Sequence, residues 1–407
     1  MCILNPSSLY RGFEKLNLPT GVQKCRVLHL ITRLIVGGAQ ENTMYTAAML
    51  DPARFQVEIL SGPQTGSEGS LIEEVRLRGI ALTILPDLLR QVSPLHDLKA
   101  LWQLRRYIQD GQYTIVHTHS SKAGIIGRLA AHLANTPVII HTVHGWSFHD
   151  FMHPLLRQMY IFLERRMAIF SDALIVVSER DLKKGLEAGI GRPAQYHLIR
   201  SAIPLDEFDS TQFDRQAIRS ELCIPPEAIV IGNVSRFSAQ KNPLDWVRIA
   251  GMVGRACPNA FFLMVGDGPL RGEVENEIKK EGIQDRILLT GLRRDIPRML
   301  AAMDIFLLTS LWEGLPRALA QAMAMGLPVV ANRVDGVAEG IQAGQTGYLV
   351  EPGDIDQAAK DCISLADDFL AREALGLRGR KYARENFDLR TMIAQIEGIY
   401  DSILTQR

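Results

Sequence analysis

Short runs of apolar residues, each about one strand long, alternate with helical patterns along nearly all of this 407-residue chain. In the first half the runs are RVLHLI (26–31), QVEILS (56–61), TIVHTH (114–119), PVIIHT (137–142) and ALIVVS (173–178). They are almost continuously apolar, the pattern of strands buried on both faces. Stretches such as PLHDLKALWQLRRYIQD (94–110) lie between them as helices, so the rhythm is that of a parallel sheet covered by helices. Around 200–228 the rhythm breaks. IRSAIPLDEFDS and LCIPPEA are rich in proline and acids, which marks a linker and the approach to a second domain. The alternation restarts with AIVIGNVSR (228–236), AFFLMVG (260–266), RILLTG (286–291), DIFLLTS (304–310) and LPVVAN (327–332).

The expected architecture is α/β: two tandem Rossmann-like doubly wound domains facing each other across a cleft. Residues 1–24 read as a tail, 25–200 as the first domain, 201–385 as the second, and 386–407 as a C-terminal helix able to pack on either domain or cross back to the first. In such sheets ligands bind beyond the carboxyl ends of the strands, so two facing sheets would share one site.

Composition narrows the class. A hydrophobic fraction of 47% fills ordinary globular cores, and no apolar run approaches the ~20 residues of a membrane span. The first 24 residues lack an apolar segment of signal-peptide length. Cys2, Cys25, Cys223, Cys257 and Cys362 are scattered, which suits a reducing cytoplasm and argues against a disulfide scaffold or a cysteine zinc site. Net charge is zero, but the first 195 residues carry five more basic than acidic side chains and the rest five more acidic than basic. A mildly basic first half suits an anionic surface or substrate. No basic–aromatic pattern points to nucleic acid.

Candidate chemistry gathers after the strands. Gly37 and Gly38 follow the first strand and open a helix, where a backbone can approach a phosphate. After the first strand of the second domain, VSRFSAQKNP places Arg236 and Lys241 five residues apart, a spacing that can clamp a diphosphate. VGDGPLR follows the next strand: Gly266 and Gly268 form a tight turn, and Asp267 between them can cap or accept from a hydroxyl. A dinucleotide fingerprint would want a third glycine and an earlier place in the fold, so a dehydrogenase is disfavoured. In WEGLPRALAQAMAMGLPVV (312–330), Pro316 suits the first position of a helix, and the amides of Gly314 and Leu315 before it are placed to meet an anion. Glu313 beside them suits sugar hydroxyls better than phosphate, since a carboxylate only accepts.

Four histidines end two first-domain strands: His117, His119, His141 and His144. A metal set built on them needs a carboxylate, and Asp150 is the nearby candidate; ligand hydrogen bonding is the simpler use. Asp354 and Asp356 resemble a metal-binding pair, yet EPGDIDQAAKD is explained by a turn and a helix capped by Asp354.

Taken in order, the Gly37-Gly38 loop, HTHSSKAGIIGRLAA, HTVHGWSF, VSRFSAQKNP, VGDGP and EGLPRALAQAMAMGLPVVA resemble the retaining glycosyltransferases of family 4, with the GT-B fold, from about residue 26 to about 400. The resemblance implies an acceptor-binding first domain and a second domain that binds the nucleotide sugar. It gives Arg236 and Lys241 to the donor diphosphate, Glu313 to the transferred sugar, His144 to the cleft near that sugar, and the backbone at Arg293 to the base. The ribose-binding Glu of the family falls at Gln321, a departure that removes a charge. Implied partners are a nucleotide diphosphate sugar, with UDP-sugar ahead of GDP-mannose, and a hydroxyl acceptor, in the style of enzymes that extend lipid-linked glycans of exopolysaccharide, capsule or O-antigen. Neither metal nor cofactor is expected. FMHPLLRQMYIFLERRMAIF (151–170), with Arg157, Arg165 and Arg166, suits a packed helix first and peripheral contact with an anionic membrane second. Two rivals stand beside this reading: a nucleotide-sugar epimerase of similar architecture, and a non-catalytic sugar-nucleotide binding protein.

Overall fold

A computed structural model describes residues 24–64, 69–148 and 152–407, which leaves Cys2, Asp150 and nearly all of the expected tail outside the described residues. The first sheet has seven parallel strands: β1 (Cys25–Ile31), β2 (Phe55–Ser61), β3 (Ala81–Ile84), β4 (Ile115–His119), β5 (Val138–Val143), β6 (Ala173–Val176) and β7 (Tyr196–Leu198), in the order β3-β2-β1-β4-β5-β6-β7. The second has six: β8 (Ile229–Val234), β9 (Ala260–Val265), β10 (Ile287–Leu289), β11 (Ile305–Leu308), β12 (Val329–Asn332) and β13 (Gly347–Val350), in the order β10-β9-β8-β11-β12-β13. Strands β3, β7 and β13 had no counterpart among the apolar runs. All three are short edge strands with half-buried residues, so they carry no continuous apolar signal.

The first-domain helices are α1 (Gly38–Met49), α2 (Ile72–Leu77), α3 (Pro94–Gly111), α4 (Ser121–Leu133), α5 (Pro154–Ala168) and α6 (Glu179–Glu187). Around the second sheet lie α7 (Arg215–Glu221), α8 (Pro243–Ala256), α9 (Arg271–Glu281), α10 (Ile296–Ala301), α11 (Arg317–Ala324), α12 (Val337–Gly340), α13 (Ile355–Asp367) and α14 (Phe369–Asn386), followed by α15 (Leu389–Thr405). Asp354 caps α13, its carboxylate accepting from Gln357 N at 3.0 Å. The chain passes between domains twice at one place, where Ile203 N donates to Phe387 O at 3.0 Å. After that crossing α15 lays Met392, Ile393, Ile396 and Tyr400 into the first-domain core with α1 and α2. A second tie lies nearer the cleft: the Glu339 carboxylate of α12 accepts from Glu179 N and Arg180 N at the start of α6, 2.8 and 2.7 Å away. An acid at a helix N-terminus meets unpaired amides and the positive end of the helix dipole.

Both sheets reverse their strand order at the centre. In the first the reversal separates β1 from β4, and in the second β8 from β11. Loops leaving such a pair turn to opposite faces and leave a crevice at the strands' carboxyl ends. The two crevices face each other.

Candidate active site

The loop after β11 and the loop after β8 are knit together by backbone. Leu311 N donates to Gln240 O (2.8 Å), and Thr309 Oγ1 lies 3.0 Å from both Lys241 O and Asn242 O. Asn332 from β12 fixes the same turn from behind, its Nδ2 donating to Thr309 O at 2.9 Å. This scaffold brings Lys241 and Glu313 together although 72 positions separate them. Lys241 Nζ donates to Glu313 Oε1 in a short ion pair, and Ser310 Oγ donates to the same oxygen at 2.7 Å. Asn242, in the left-handed region at φ 47°, turns the chain into α8, whose first residue is Pro243. Lys241 is thus held at the switch point with its charge matched by a carboxylate, on the same loop as Arg236.

The start of α11 differs from the sequence expectation by one residue. Pro316 is its cap rather than its first helical position, and the helix runs from Arg317. Leu319 N makes the first intrahelical closure onto Pro316 O, so the first-turn amides are those of Arg317 and Ala318, one turn beyond Gly314 and Leu315. Gly314 has another use. A Cβ there would lie 2.7 Å from His144 O, so the first-domain loop can rest on this backbone only because the residue is glycine. Gly266 is glycine for a stricter reason: its φ is +136°, and a Cβ would stand 2.0 Å from Ser235 O.

Between the loops lies a cavity of about 390 Å³. It is lined by Gly37, Gly38 and His144 from the first domain and by Arg236, Lys241, Glu313 and Gln321 from the second. Gly266, Asp267, Gly268, Arg293, Gly314 and Leu315 also border it, so the donor-site residues read from the sequence reach one space, whereas His117, His119 and His141 do not line it. Several side chains are engaged: Asp267 accepts from Gly268 N (2.7 Å) and Arg271, and Arg293 forks onto Asp295 at 2.8 and 2.6 Å. Gln321 is buried on α11 and borders the cavity.

Two charged lining residues, Arg317 and Glu41, escaped sequence reading. Arg317, buried, crosses from α11 to place its Nε 3.2 Å from Glu41 Oε2 of α1, with its guanidinium 5.1 Å from the Tyr45 ring centroid. Burial pushes the Glu41 carboxyl above its ordinary range and the Arg317 charge pulls it back. The available signal was an arginine set among the small residues of α11; its partner lies too far away in sequence to be read. Among the described residues, the acidic side chains bordering the cavity, Glu41, Asp267 and Glu313, are each ion-paired.

The histidines form a chain that includes one more member. His29 Nδ1 and His119 Nε2 are 2.9 Å apart, and His119 Nδ1 and His144 Nε2 are 3.2 Å apart. His141, expected with them, points elsewhere, to Thr118 Oγ1 at 2.9 Å. The direction of the chain follows from its far end, where His29 Nε2 is buried with no hydrogen-bond partner among the described residues. A bare buried lone pair is more tolerable than a bare buried N–H. Each ring then carries its proton on Nδ1, and His144 offers an Nδ1–H beyond the chain. Burial, helped by the Arg317 charge, lowers the His144 pKa to about 4, and burial alone lowers that of His29 to about 3, so both are neutral at physiological pH.

His29, His117 and His119 bring nitrogens within 4.8 Å of one another, and no carboxylate joins that group among the described residues. His117 spends both nitrogens elsewhere, on Tyr400 Oη of α15 and Thr142 Oγ1, each at 2.7 Å. A cation there would have to break those bonds, so the metal set considered from the sequence is not the one the fold assembles.

Comparison with known proteins agrees with this architecture. The family profile for group 1 glycosyl transferases matches residues 214–382, and that for a glycosyl transferase 4-like domain matches residues 37–201. The UDP-Gal:alpha-D-GlcNAc-diphosphoundecaprenol alpha-1,3-galactosyltransferase of Escherichia coli is 30% identical over 351 residues, 85% of this chain and 89% of that protein. The putative glycosyltransferase EpsF of Bacillus subtilis is 27% identical over 78% of this chain and 81% of its own length. Among solved structures, Anabaena Alr3699/HepE in complex with UDP and glucose superposes with a TM-score of 0.81 at 21% identity, covering 93% of this chain and all of that one. WaaG, a glycosyltransferase involved in lipopolysaccharide biosynthesis, superposes at 0.72 with 15% identity, over 92% of this chain and 99% of its own. With two facing switch-point sheets, one shared cavity and matched profiles over both halves, the chain belongs to the group 1 glycosyltransferases of family 4, with the GT-B fold.

Proposed function

We propose that this glycosyltransferase moves a sugar from a nucleoside diphosphate sugar, a UDP-sugar before GDP-mannose, to a hydroxyl of a lipid-linked glycan, with retention at the anomeric carbon. The observation that carries the reading is the meeting of Arg236, Lys241 and the α11 first turn at one switch point, facing Gly37, Gly38 and His144. The diphosphate leaves as an anion, and fixed cations and amides aimed at it stabilise that charge without reorganising. Lys241 enters the reaction paired with Glu313; an arriving diphosphate shares the ammonium, and Glu313 keeps it oriented while its second oxygen accepts from the sugar. Among the described residues each carboxylate bordering the cavity is held in an ion pair, which favours attack from the leaving-group face. The acceptor follows the Escherichia coli relative, whose name specifies a diphosphoundecaprenol-linked sugar. Such an acceptor would bring the chain to the inner face of the membrane as a peripheral protein. Among the described residues no helix is long and apolar enough to cross a membrane.

UDP or GDP release, measured with a panel of UDP-sugars and GDP-mannose against a diphosphate-linked lipid N-acetylglucosamine, tests the assignment. Turnover with a UDP-sugar and an α-configured product by NMR is expected. A β-linked product would overturn retention, and turnover with GDP-mannose alone would overturn the base.

Three consequences follow from the geometry. Gln321→Leu removes a neutral hydrogen-bonding group from the proposed ribose position, so UDP affinity should fall by about 1–2 kcal/mol, as for an uncharged bond left unmade. Unchanged affinity in calorimetry would place Gln321 outside the ribose contact. His119→Ala should lower kcat about tenfold with little change in KM, because it frees the tautomer of His144 rather than removing a binding group. His119→Asn should recover much of that loss, since its amide nitrogen can stand near Nδ1; equal damage by both would mean that His119 only fills space. Finally, activity should survive excess chelator, because the anion-binding groups suffice for the leaving group. Abolition by chelator with rescue by one divalent ion would contradict this.

A further inference from the structure

Helices α3 and α4 share a core on the sheet face opposite the one that α1, α2 and α15 cover. α4 lies in the middle of this layer and packs on both α3 and α5. Inward, α3 buries Ala100, Leu104 and Ile108, and α5 buries Ile161, Glu164, Met167 and Ala168. Their outward faces are not the polar surface that a solvated helix layer calls for. On α3, Leu95, Leu98 and Trp102 fall on one helical face and are 83%, 55% and 50% exposed. On α5, Leu155, Met159 and Phe162 do the same at 77%, 45% and 54%, and Ile169 continues the line just past the helix. α5 is thus a packed helix, as expected, and its outward face is open.

Cations rim it. The Arg105 guanidinium lies 5.3 Å from the Trp102 ring centroid and that of Arg166 5.2 Å from Phe162, with Arg106 and Arg165 next to them in sequence, while Lys99 is paired with Asp87 at 2.9 Å. The two helices carry six basic residues against three acidic ones. Of the acids, Glu164 is buried on Arg128, Asp97 pairs with Lys122, and Asp110 lies 3.5 Å from Arg106. Most of the exposed apolar residues sit in the N-terminal halves of α3 and α5, which follow β3 and β5 and so lie at the strands' carboxyl ends, the side on which the cleft opens.

We propose that this α3–α5 face is a membrane-docking surface for an anionic lipid leaflet. Large apolar side chains enter the interface while arginine and lysine meet the head groups. A second copy of the chain fits less well, because a two-fold contact would set one cationic rim against another. The inference deepens the lipid-linked acceptor reading: docking here sets the cleft mouth beside the lipid surface.

Sedimentation of the full chain with acceptor-free vesicles tests it. Binding to vesicles containing phosphatidylglycerol, weakened by salt, and little binding to phosphatidylcholine alone are expected. The triple variant Trp102→Glu/Leu155→Glu/Phe162→Glu should bind at least about tenfold less, and so, if that variant misfolds, should the surface pair Arg105→Glu/Arg166→Glu. The melting shift produced by UDP should be unchanged in both. A wild-type chain that ignores anionic vesicles, or variants that bind as the wild type does, would overturn the surface. So would a dimer in light scattering that the triple variant dissolves. A wild-type chain that fails to bind anionic vesicles yet keeps its UDP shift counts against the surface alone, whereas a wild-type chain with no UDP shift counts against the donor reading alone.

Discussion

Replacing Lys241 by alanine is expected to lower kcat/KM by about two orders of magnitude or more, roughly 3 kcal/mol of lost transition-state stabilisation. The reason lies in where the ammonium is held. It projects from the loop after β8, at the switch point, and Glu313 and the Thr309 contacts to the backbone of its loop fix its position before substrate arrives. Negative charge develops on the diphosphate as the glycosidic bond breaks, so the contact strengthens along the reaction and its loss falls largely on kcat. The variant also leaves Glu313 without its ion-pair partner, next to an incoming anion. Lys241→Arg keeps the charge but not the point geometry and should recover part of the rate. Steady-state kinetics on a folded Lys241→Ala protein, with folding checked by melting, measures this. Near-normal turnover would remove Lys241 from the leaving-group site.

The largest effect on stability should come from a pair remote from the cavity. Arg128 of α4 and Glu164 of α5 are both buried, joined at 2.6 Å, and Arg128 Nε also donates to Gly124 O at 2.8 Å. Glu164→Leu strands a guanidinium between two helices. Breaking a buried pair from one side costs about 3–5 kcal/mol, mostly the penalty of the charge left alone. The double change Arg128→Met/Glu164→Leu removes both charges and should recover most of that loss. Calorimetric melting of the first-domain transition tests it: a single variant that melts like the wild type, or a double variant no better than the single, would contradict the account. UDP binding should persist in each folded variant, because neither residue of the pair lines the cavity.

How much of this was legible in the sequence follows from burial. Central strands such as β1, β4, β8 and β11 are covered on both faces and print continuous apolar runs. Edge strands β3, β7 and β13 have three or four residues and half-exposed sides, so their sequences ALTI, YHL and GYLV do not stand out. Arg236, Lys241 and Glu313 were legible because a charged residue at a strand's carboxyl end already has an address in this architecture. Arg317 with Glu41, and His29 with His119, were not. Each pair joins segments that only the tertiary fold brings together, and neither spacing nor periodicity encodes that meeting. The outward face of α5 shows the same limit: an amphipathic pattern gives the period of a helix, and only the packed layer shows which side is left uncovered.

The central claim is that the cavity between the two switch points holds a nucleoside diphosphate on Lys241 and its neighbours. The most direct test is the melting temperature of the full chain titrated with UDP in the presence of chelator, beside that of Lys241→Ala. A ligand that binds only the folded state raises stability by RT ln(1 + [L]/Kd), about 2.7 kcal/mol at one hundred times Kd. The account predicts a saturable rise for the wild type and a strongly weakened one for the variant. A wild-type melting temperature that no nucleoside diphosphate moves, or an undiminished rise in Lys241→Ala, would contradict it.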